Sequence, residues 1–394
     1  MDTFKQYYNL LNEGGAGGHM AHPFDLNGIN TGKQLLALFN KVVKHIEKKS
    51  AAVKLDGINV SVKLVQVPNG GWEWAMDRGS SKDIDVEGIT MDRLEERFPP
   101  SMEINPESGE LEEKAHGMIK AGQIVIAILN EAMTDPEVFK AAKRLRLMST
   151  KKPGEEYFLN AEFIEKAGTN VIKYGKNMIA FHGVNKFKWK KTGKSRKGHE
   201  VNYNTGAFTD FVTAVNRFST RADEEGNKVY DFDTHGIIDV SFSNVPDFDS
   251  ALDTPIEIIL TSERSEKRSL RQWLFGARNP RDTKITNSEG RRVNAMLKQV
   301  YQYVIGSDNV SDGPLNEYIP DSKEAAIAID AAIFWHATRL LGAEINKNLE
   351  TFDNKNIPVG EGIVIRDLPA GKGTVHPPFK VTGEFIIGGL QSGF

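Results

Sequence analysis

Four charged residues stand where their type and setting could do chemistry. Lys54 lies in VKLDGINVSV (Val53–Val62), one residue before an Asp-Gly pair. Such a turn is where loops present reactive groups. The string also fits a surface lysine ahead of a hairpin turn. Glu162 sits inside apolar FLNAEFI, Glu361 opens EGIVIRD, and Lys380 interrupts PFKVTGEF. An unpaired carboxylate is costly to bury, so core strands have no structural use for such charges. Together the four read as a site lining a sheet. A lysine amine becomes a nucleophile only when deprotonated, and its ordinary pKa is about 10.4. Neighbouring cations lower that value by disfavouring a further positive charge.

These residues resemble a known family. Lys54-Leu55-Asp56-Gly57 is similar to the nucleophile motif, KxDG or KxHG, of the covalent nucleotidyltransferases: DNA ligases, RNA ligases and mRNA-capping enzymes. Further pieces follow in that family's order. Arg78 in MDRGSS, beyond the strand that follows Lys54, resembles the arginine motif, and Glu162 resembles the lone glutamate of the third. Phe181 in MIAFHGV, in the next strand-like segment, resembles the adenine-stacking aromatic. Glu361-Gly362-Ile363-Val364-Ile365-Arg366 resembles EGxVIK, and Lys380 the closing lysine motif. Asn59, five residues after Lys54, is similar to the KxHGTN-type sequences of type-2 phage RNA ligases and RNA-editing ligases. Asp56 is instead the DNA-ligase choice.

The resemblance implies an α+β chain with a ligase adenylation-domain fold of antiparallel sheets. It implies ATP as substrate, Mg²⁺ (or Mn²⁺) as metal, and attack by Lys54 on the α-phosphate to give a lysyl-adenylate. The implied catalytic set is Lys54, Asp56, Arg78 and Lys380. The implied nucleotide-binding set is Val53, Lys54, Asn59, Arg78, Glu162, Phe181, Glu361 and Lys380, with Glu361 and Glu162 as metal candidates. The product expected is a joined 5′-phosphate and 3′-hydroxyl, with RNA favoured. The alternatives are a DNA nick-joining ligase, an inactive nucleotidyltransferase-like module that only binds nucleic acid, and adenylate transfer to a protein. Three departures stand out. The stretch from Lys54 to Lys380 is longer than is usual in the family, and only Val381–Phe394 follows Lys380, too little for a C-terminal OB domain. The usual second lysine of the K-x-K motif is missing, with Thr382 in its place.

Two basic stretches are candidates for holding a polynucleotide. Lys186–Lys197 (KFKWKKTGKSRK) carries seven Lys or Arg with Phe187 and Trp189 interleaved. Phosphate neutralisation with base stacking is the functional reading, centred on Lys186, Lys188, Trp189, Lys190, Lys191 and Arg196; a solvated hairpin tip is the alternative. Arg264–Arg292 has nine basic residues and Trp273, and a solvated helical face explains it as well. Gly-rich Gly14–Phe24 reads as a structural loop, with a backbone N–H cradle for phosphate or an N-terminal clasp beside the nucleotide as alternatives. PAGKGT (Pro369–Thr374) lacks the spacing of a phosphate-binding P-loop. The histidines have no zinc spacing, so no structural metal is expected.

The elements that must position these residues are legible from periodicity. Leu35, Leu36, Phe39, Val42, Val43 and Ile46 recur at helical spacing. INVSVKLVQV (Ile58–Val67) alternates apolar and polar, then PNGG and WEWAMDR complete a β-hairpin. Residues 91–150 read as mainly helical. Strands are expected at 157–164, 177–184, 236–245, 357–367 and 378–390, and a second helical block over 262–350. This is α+β rather than βαβ alternation. The expected organisation is a core of 1–90, 151–261 and 351–394, with helical insertions at 91–150 and 262–350.

Composition narrows the classes. The 394 residues carry 50 Lys plus Arg against 53 Asp plus Glu, a net charge of −3, which excludes a histone-like polycation but not a local basic groove. Hydrophobic residues at 39% and charged residues at 26% match a globular chain. The absence of cysteine excludes disulfides and thiolate chemistry. Neither a signal peptide nor a membrane-length apolar run is found. The expectation is an intracellular, cytoplasmic monomer, in the host cytoplasm if phage-encoded, with a polynucleotide partner and no membrane.

Overall fold

The computed structural model describes residues 20–21, 23, 26, 28–29, 32–48, 51–55, 57–104, 109–149, 156–166, 174–189, 196–240 and 362–381. In chain order its elements begin with helix α1 (Gly32–Ile46) and strands β1 (Ala51–Val53), β2 (Ile58–Gln66) and β3 (Trp72–Met76). Short helices α2 (Asp83–Glu87) and α3 (Leu94–Arg97) precede strands β4 (Ser101–Ile104) and β5 (Leu111–Lys114). Helices α4 (Gly117–Ala132) and α5 (Pro136–Arg144) lead to strands β6 (Tyr157–Ile164), β7 (Met178–Trp189) and β8 (Arg196–Glu200). Helix α6 (Thr205–Ser219) and strands β9 (Asp233–His235) and β10 (Asp239–Val240) follow. The last strands are β11 (Ile363–Ile365), β12 (Pro369–Gly371), β13 (Thr374–Val375) and β14 (Phe379–Val381). The chain is α+β with mainly antiparallel sheets, and it divides into two compact units, the described parts of which fall within 20–55 with 239–240 and 362–381, and within 57–238.

In the second unit a sheet runs β3-β2-β6-β7-β8, with β9 parallel to β7. Alternation decides its faces. Val60, Val62 and Leu64 of β2 join Leu159, Ala161, Phe163, Ile179, Phe181 and Val184 in one apolar layer, which packs on α4, α5 and α6. Fully burying a Val, Leu or Phe contributes about 1.5–3 kcal/mol each. The intervening residues Asn59, Ser61 and Lys63 fall on the opposite face, where Asn59 pairs with Glu162 and Ser61 with Asn160 in register. The sheet is therefore apolar toward its helices, while its other side carries these polar residues beside the stacked pair Phe158 and Phe187.

The helices are delimited by local chemistry. The His116 side chain accepts from Met118 N to cap α4, and Asp135 accepts from Glu137 N with Pro136 at the first position of α5. Asn204 caps α6, whose Phe208, Phe211, Ala214 and Val215 are buried. Helix α6 and the exposed hairpin β4–β5 were not expected from periodicity. Thr, Phe and Val in TGAFTDFVTAVNRFS score as strand formers, and packing of Phe211 on Trp74 (5.6 Å) and Phe181 overrides that preference.

In the first unit an antiparallel sheet runs β10-β1-β11-β14. Phe39, Val42, Val43 and Ile46 of α1 are buried, as the helical spacing predicts. His45 Nε2 lies 2.9 Å from Arg366 O. Ala21 bridges Phe379 in parallel, and Lys380 N donates to Ala21 O at 2.9 Å, so residue 21 lies beside β14. PAGKGT forms the exposed hairpin β12–β13, with Lys372 at φ 52° in its turn. The 262–350 block lies outside the described residues. Among the described residues no helix is long and apolar enough to cross a membrane.

Candidate functional site

Glu162 is the centre of the second unit's polar face. Its side chain is 10% exposed, so its charge needs partners. Gly57 N donates to Oε1 at 3.1 Å, Asn59 Nδ2 lies 3.4 Å from Oε2, and His182 Nε2 lies 3.5 Å from Oε2. A buried carboxylate gains most from such N–H donors. Glu162 thus holds the turn after Lys54-Leu55-Asp56 by the amide of Gly57. Asn59 leaves its other amide atom, Oδ1, buried with no hydrogen-bond partner. A buried acceptor left unmade costs about 1–3 kcal/mol. A hydroxyl or amine donor would satisfy it.

Glycine is required at 57 by space. A Cβ there would come 2.6 Å from Phe163 O, 2.7 Å from Ile164 Cγ1 and 2.8 Å from Glu162 Cγ. Gly57→Ala should lower stability by about 1–3 kcal/mol through overpacking, read as a fall in the urea midpoint. A change below about 0.5 kcal/mol would show that the turn relaxes freely.

Arg78 follows β3 and is tied down at both ends. Its Nη1 donates to Asn59 O at 2.8 Å, and its backbone N to Asp85 Oδ1 at 3.1 Å. Beneath it lies a buried ionic network that the sequence reading missed. Lys63 Nζ meets Asp77 Oδ2 at 2.7 Å and Glu156 Oε2 at 3.0 Å, and all three side chains are fully buried. It also donates to Val86 O at 2.7 Å. Asp77 Oδ1 accepts from Gly79 N at 2.8 Å, and Asp85 pairs with Arg97 Nε at 3.2 Å. The Ser149 hydroxyl bonds Glu156 and the Ser80 hydroxyl bonds Asp85. The loop bearing Arg78 is therefore fixed from below by buried charge.

Phe181, expected from the resemblance to stack on a base, lies instead on the helix-facing side of β7. It is fully buried, edge-to-face with Phe211 at 5.6 Å and 74°. A ring enclosed by core has no face to offer a base. His182, its neighbour, takes the polar side toward Glu162. The only sequence signal for it was that alternation.

In the first unit the β1–β11 ladder continues past Val53, with Lys54 N donating to Gly362 O at 2.9 Å. Ala52, Val364 and Lys380 are register partners and share a face. Lys54, two residues beyond Ala52, returns to that face. Strand spacing puts the Cα atoms of Lys54 and Lys380 about 12 Å apart, within joint reach of one anionic group. Lys54 Nζ donates to Leu55 O at 2.6 Å. Val53 is buried in the strand. Asp56 and Glu361 lie outside the described residues.

The basic stretch Lys186–Lys197 is the β7–β8 hairpin, with Lys188 opposite Lys197 and Trp189 opposite Arg196. Lys188 is exposed. Lys190 and Lys191 lie outside the described residues. Phe187 is not available for stacking on a base, since it is fully buried and stacked on Phe158 at 4.2 Å. Arg264–Arg292 lies outside the described residues.

No group of three or more His, Asp or Glu is gathered as a metal centre among the described residues. No family model, curated protein or solved structure matches the chain.

Proposed function

We propose that the chain is an ATP-dependent polynucleotide ligase working through a lysyl-adenylate on Lys54, with RNA ends favoured. On this reading its fold is of the ligase adenylation-domain type. The observation that carries it is the shared face of one sheet on which Lys54 and Lys380 stand, although most of the chain separates them in sequence. A nucleophilic amine beside a second cation suits attack on a phosphate.

The steps are those of phosphoryl transfer. The deprotonated Lys54 Nζ attacks the α-phosphorus of ATP; the N–P bond forms and the P–O bond to pyrophosphate breaks. The proton has already left the ammonium for solvent. A polynucleotide 5′-phosphate oxygen then attacks the same phosphorus, and the lysine departs and is reprotonated. Finally a 3′-hydroxyl attacks the 5′-phosphorus and AMP leaves. Lys380 would steady the anionic phosphate. In the second unit, Glu162 holds Asn59 and Gly57. Bound Mg²⁺ would neutralise phosphate charge and polarise the leaving group; Glu361 is its first candidate ligand. Glu162 already accepts hydrogen bonds at both oxygens.

The test is a sealing panel of nicked duplexes with ribose or deoxyribose at the 3′ end, each with ATP and Mg²⁺. Sealing of ribose-ended nicks above deoxyribose-ended ones is expected. Preference for deoxyribose would make it a DNA ligase. Labelled adenylate moving onto another polypeptide would make it a protein adenylyltransferase, and no adenylate at all would leave a binding module.

A further inference from the structure

Two basic segments that are well separated in sequence, at Arg146 and Lys186, meet around one tyrosine of the second unit. The first ends α5: Lys143, Arg144 and Arg146 are all exposed, and Arg146 takes a left-handed backbone with φ 61°. The second is β7, where Lys186 pairs in register with Tyr157 of β6. The Tyr157 ring holds both cations. Arg146 Cζ lies 5.7 Å and Lys186 Nζ 5.4 Å from its centroid, and Arg146 Nη1 donates to the Tyr157 hydroxyl at 3.3 Å. Each such contact is attractive, the cation facing the negative face of the ring. More important, it orders two long side chains before any ligand arrives, removing entropy that binding would otherwise cost.

The row extends across the hairpin. Register sets His199 opposite Lys186 and Lys197 opposite Lys188, so their positions fall on the face that bears Tyr157. Partial burial and then the charges of Lys188 and Lys186 hold the His199 imidazole pKa below its ordinary value. Lys186 and Lys188 repeat along the strand every ~7 Å, an interval suited to successive phosphates of an extended strand. Arg144 already has a carboxylate partner, Asp210, at 3.5 Å.

We propose that Arg146, Lys186 and Lys188, with Tyr157 as the anchor that spaces the first two, form a preorganised clamp for the phosphate backbone of single-stranded nucleic acid. The partner class rests on the polynucleotide reading above, but the lysine chemistry plays no part in it. The surface reaches beyond the basic hairpin, because the turn after α5 supplies one of the clamp's three cations, Arg146. An acidic protein would meet the charge without matching its repeat. A membrane would need apolar side chains beside the cations, whereas Phe158 and Phe187 are buried against each other.

The test is fluorescence anisotropy of full-length protein with labelled single-stranded RNA and DNA over a salt series, with poly-glutamate and phosphatidylserine vesicles as competitors. Relative to wild type, the Arg146→Gln/Lys186→Gln double variant should bind about tenfold more weakly near physiological salt. Its slope of log K on log salt should be shallower by about 1.4, since each single-strand phosphate contact contributes about 0.7. Lys188→Gln alone, at an exposed position, should flatten the slope by about 0.7, so the proposal stays testable if the double variant does not fold. Wild-type affinity and slope in either folded variant would overturn it, as would competition by poly-glutamate or vesicles equal to that by unlabelled RNA. The two readings separate cleanly. Wild-type protein that binds the strand here but forms no adenylate removes the ligase and keeps the clamp; adenylate formation with unaltered binding by the variants does the reverse.

Discussion

Lys54→Ala should abolish covalent labelling of the chain by α-labelled ATP and Mg²⁺, where wild type retains label through a denaturing gel. The reason is chemical rather than architectural. The ladder bond from residue 54 to Gly362 uses the backbone N, so alanine keeps the strand and removes only the amine. Lys54→Arg should fail equally, because a guanidinium cannot be deprotonated at any workable pH. Lys380→Met should slow labelling about a hundredfold, the usual scale for losing one charge-stabilising donor. Lys54→Ala that labels like wild type would place the nucleophile elsewhere or show the label to be adventitious.

Lys63→Ala should be the most destabilising single substitution in the second unit. It would leave Asp77 and Glu156 buried without their shared cation. Breaking a buried pair in this way costs about 3–5 kcal/mol, a large fraction of the ~5–15 kcal/mol that a domain has in total. Urea unfolding followed by circular dichroism should show the loss. Replacing Lys63, Asp77 and Glu156 together by Met, Leu and Leu should recover most of it, since an apolar substitute for a whole ionic cluster is often neutral. Less than about 1 kcal/mol lost in the single variant would mean that water reaches the cluster and the charges are screened.

Strands whose side chains alternate were legible from the sequence, and β2, β3, β6 and β7 begin within a residue or two of where periodicity puts them. What the one-dimensional pattern could not carry is the pairing that gives a polar residue its role. Lys63 reads as an ordinary polar position of a half-buried strand, because its partners Asp77 and Glu156 lie 14 and 93 residues away. Phe181 and His182 are adjacent letters, and which one faces Glu162 depends on register. That register shifts between Leu159 and Ala161, close to Gly183 with its φ of 107°. A single sequence holds no information about such a slip. Glu162 was legible as an anomaly in an apolar strand, though its immediate task is to hold the Gly57 amide.

The union of Ala21 with strand β14 carries a consequence for solubility. The outer rim of a sheet is an open template, and foreign chains join wherever N–H and C=O groups lie unclaimed. By accepting from the amide of Lys380, residue 21 occupies one rung that an intruding strand would need, a selvedge one stitch wide.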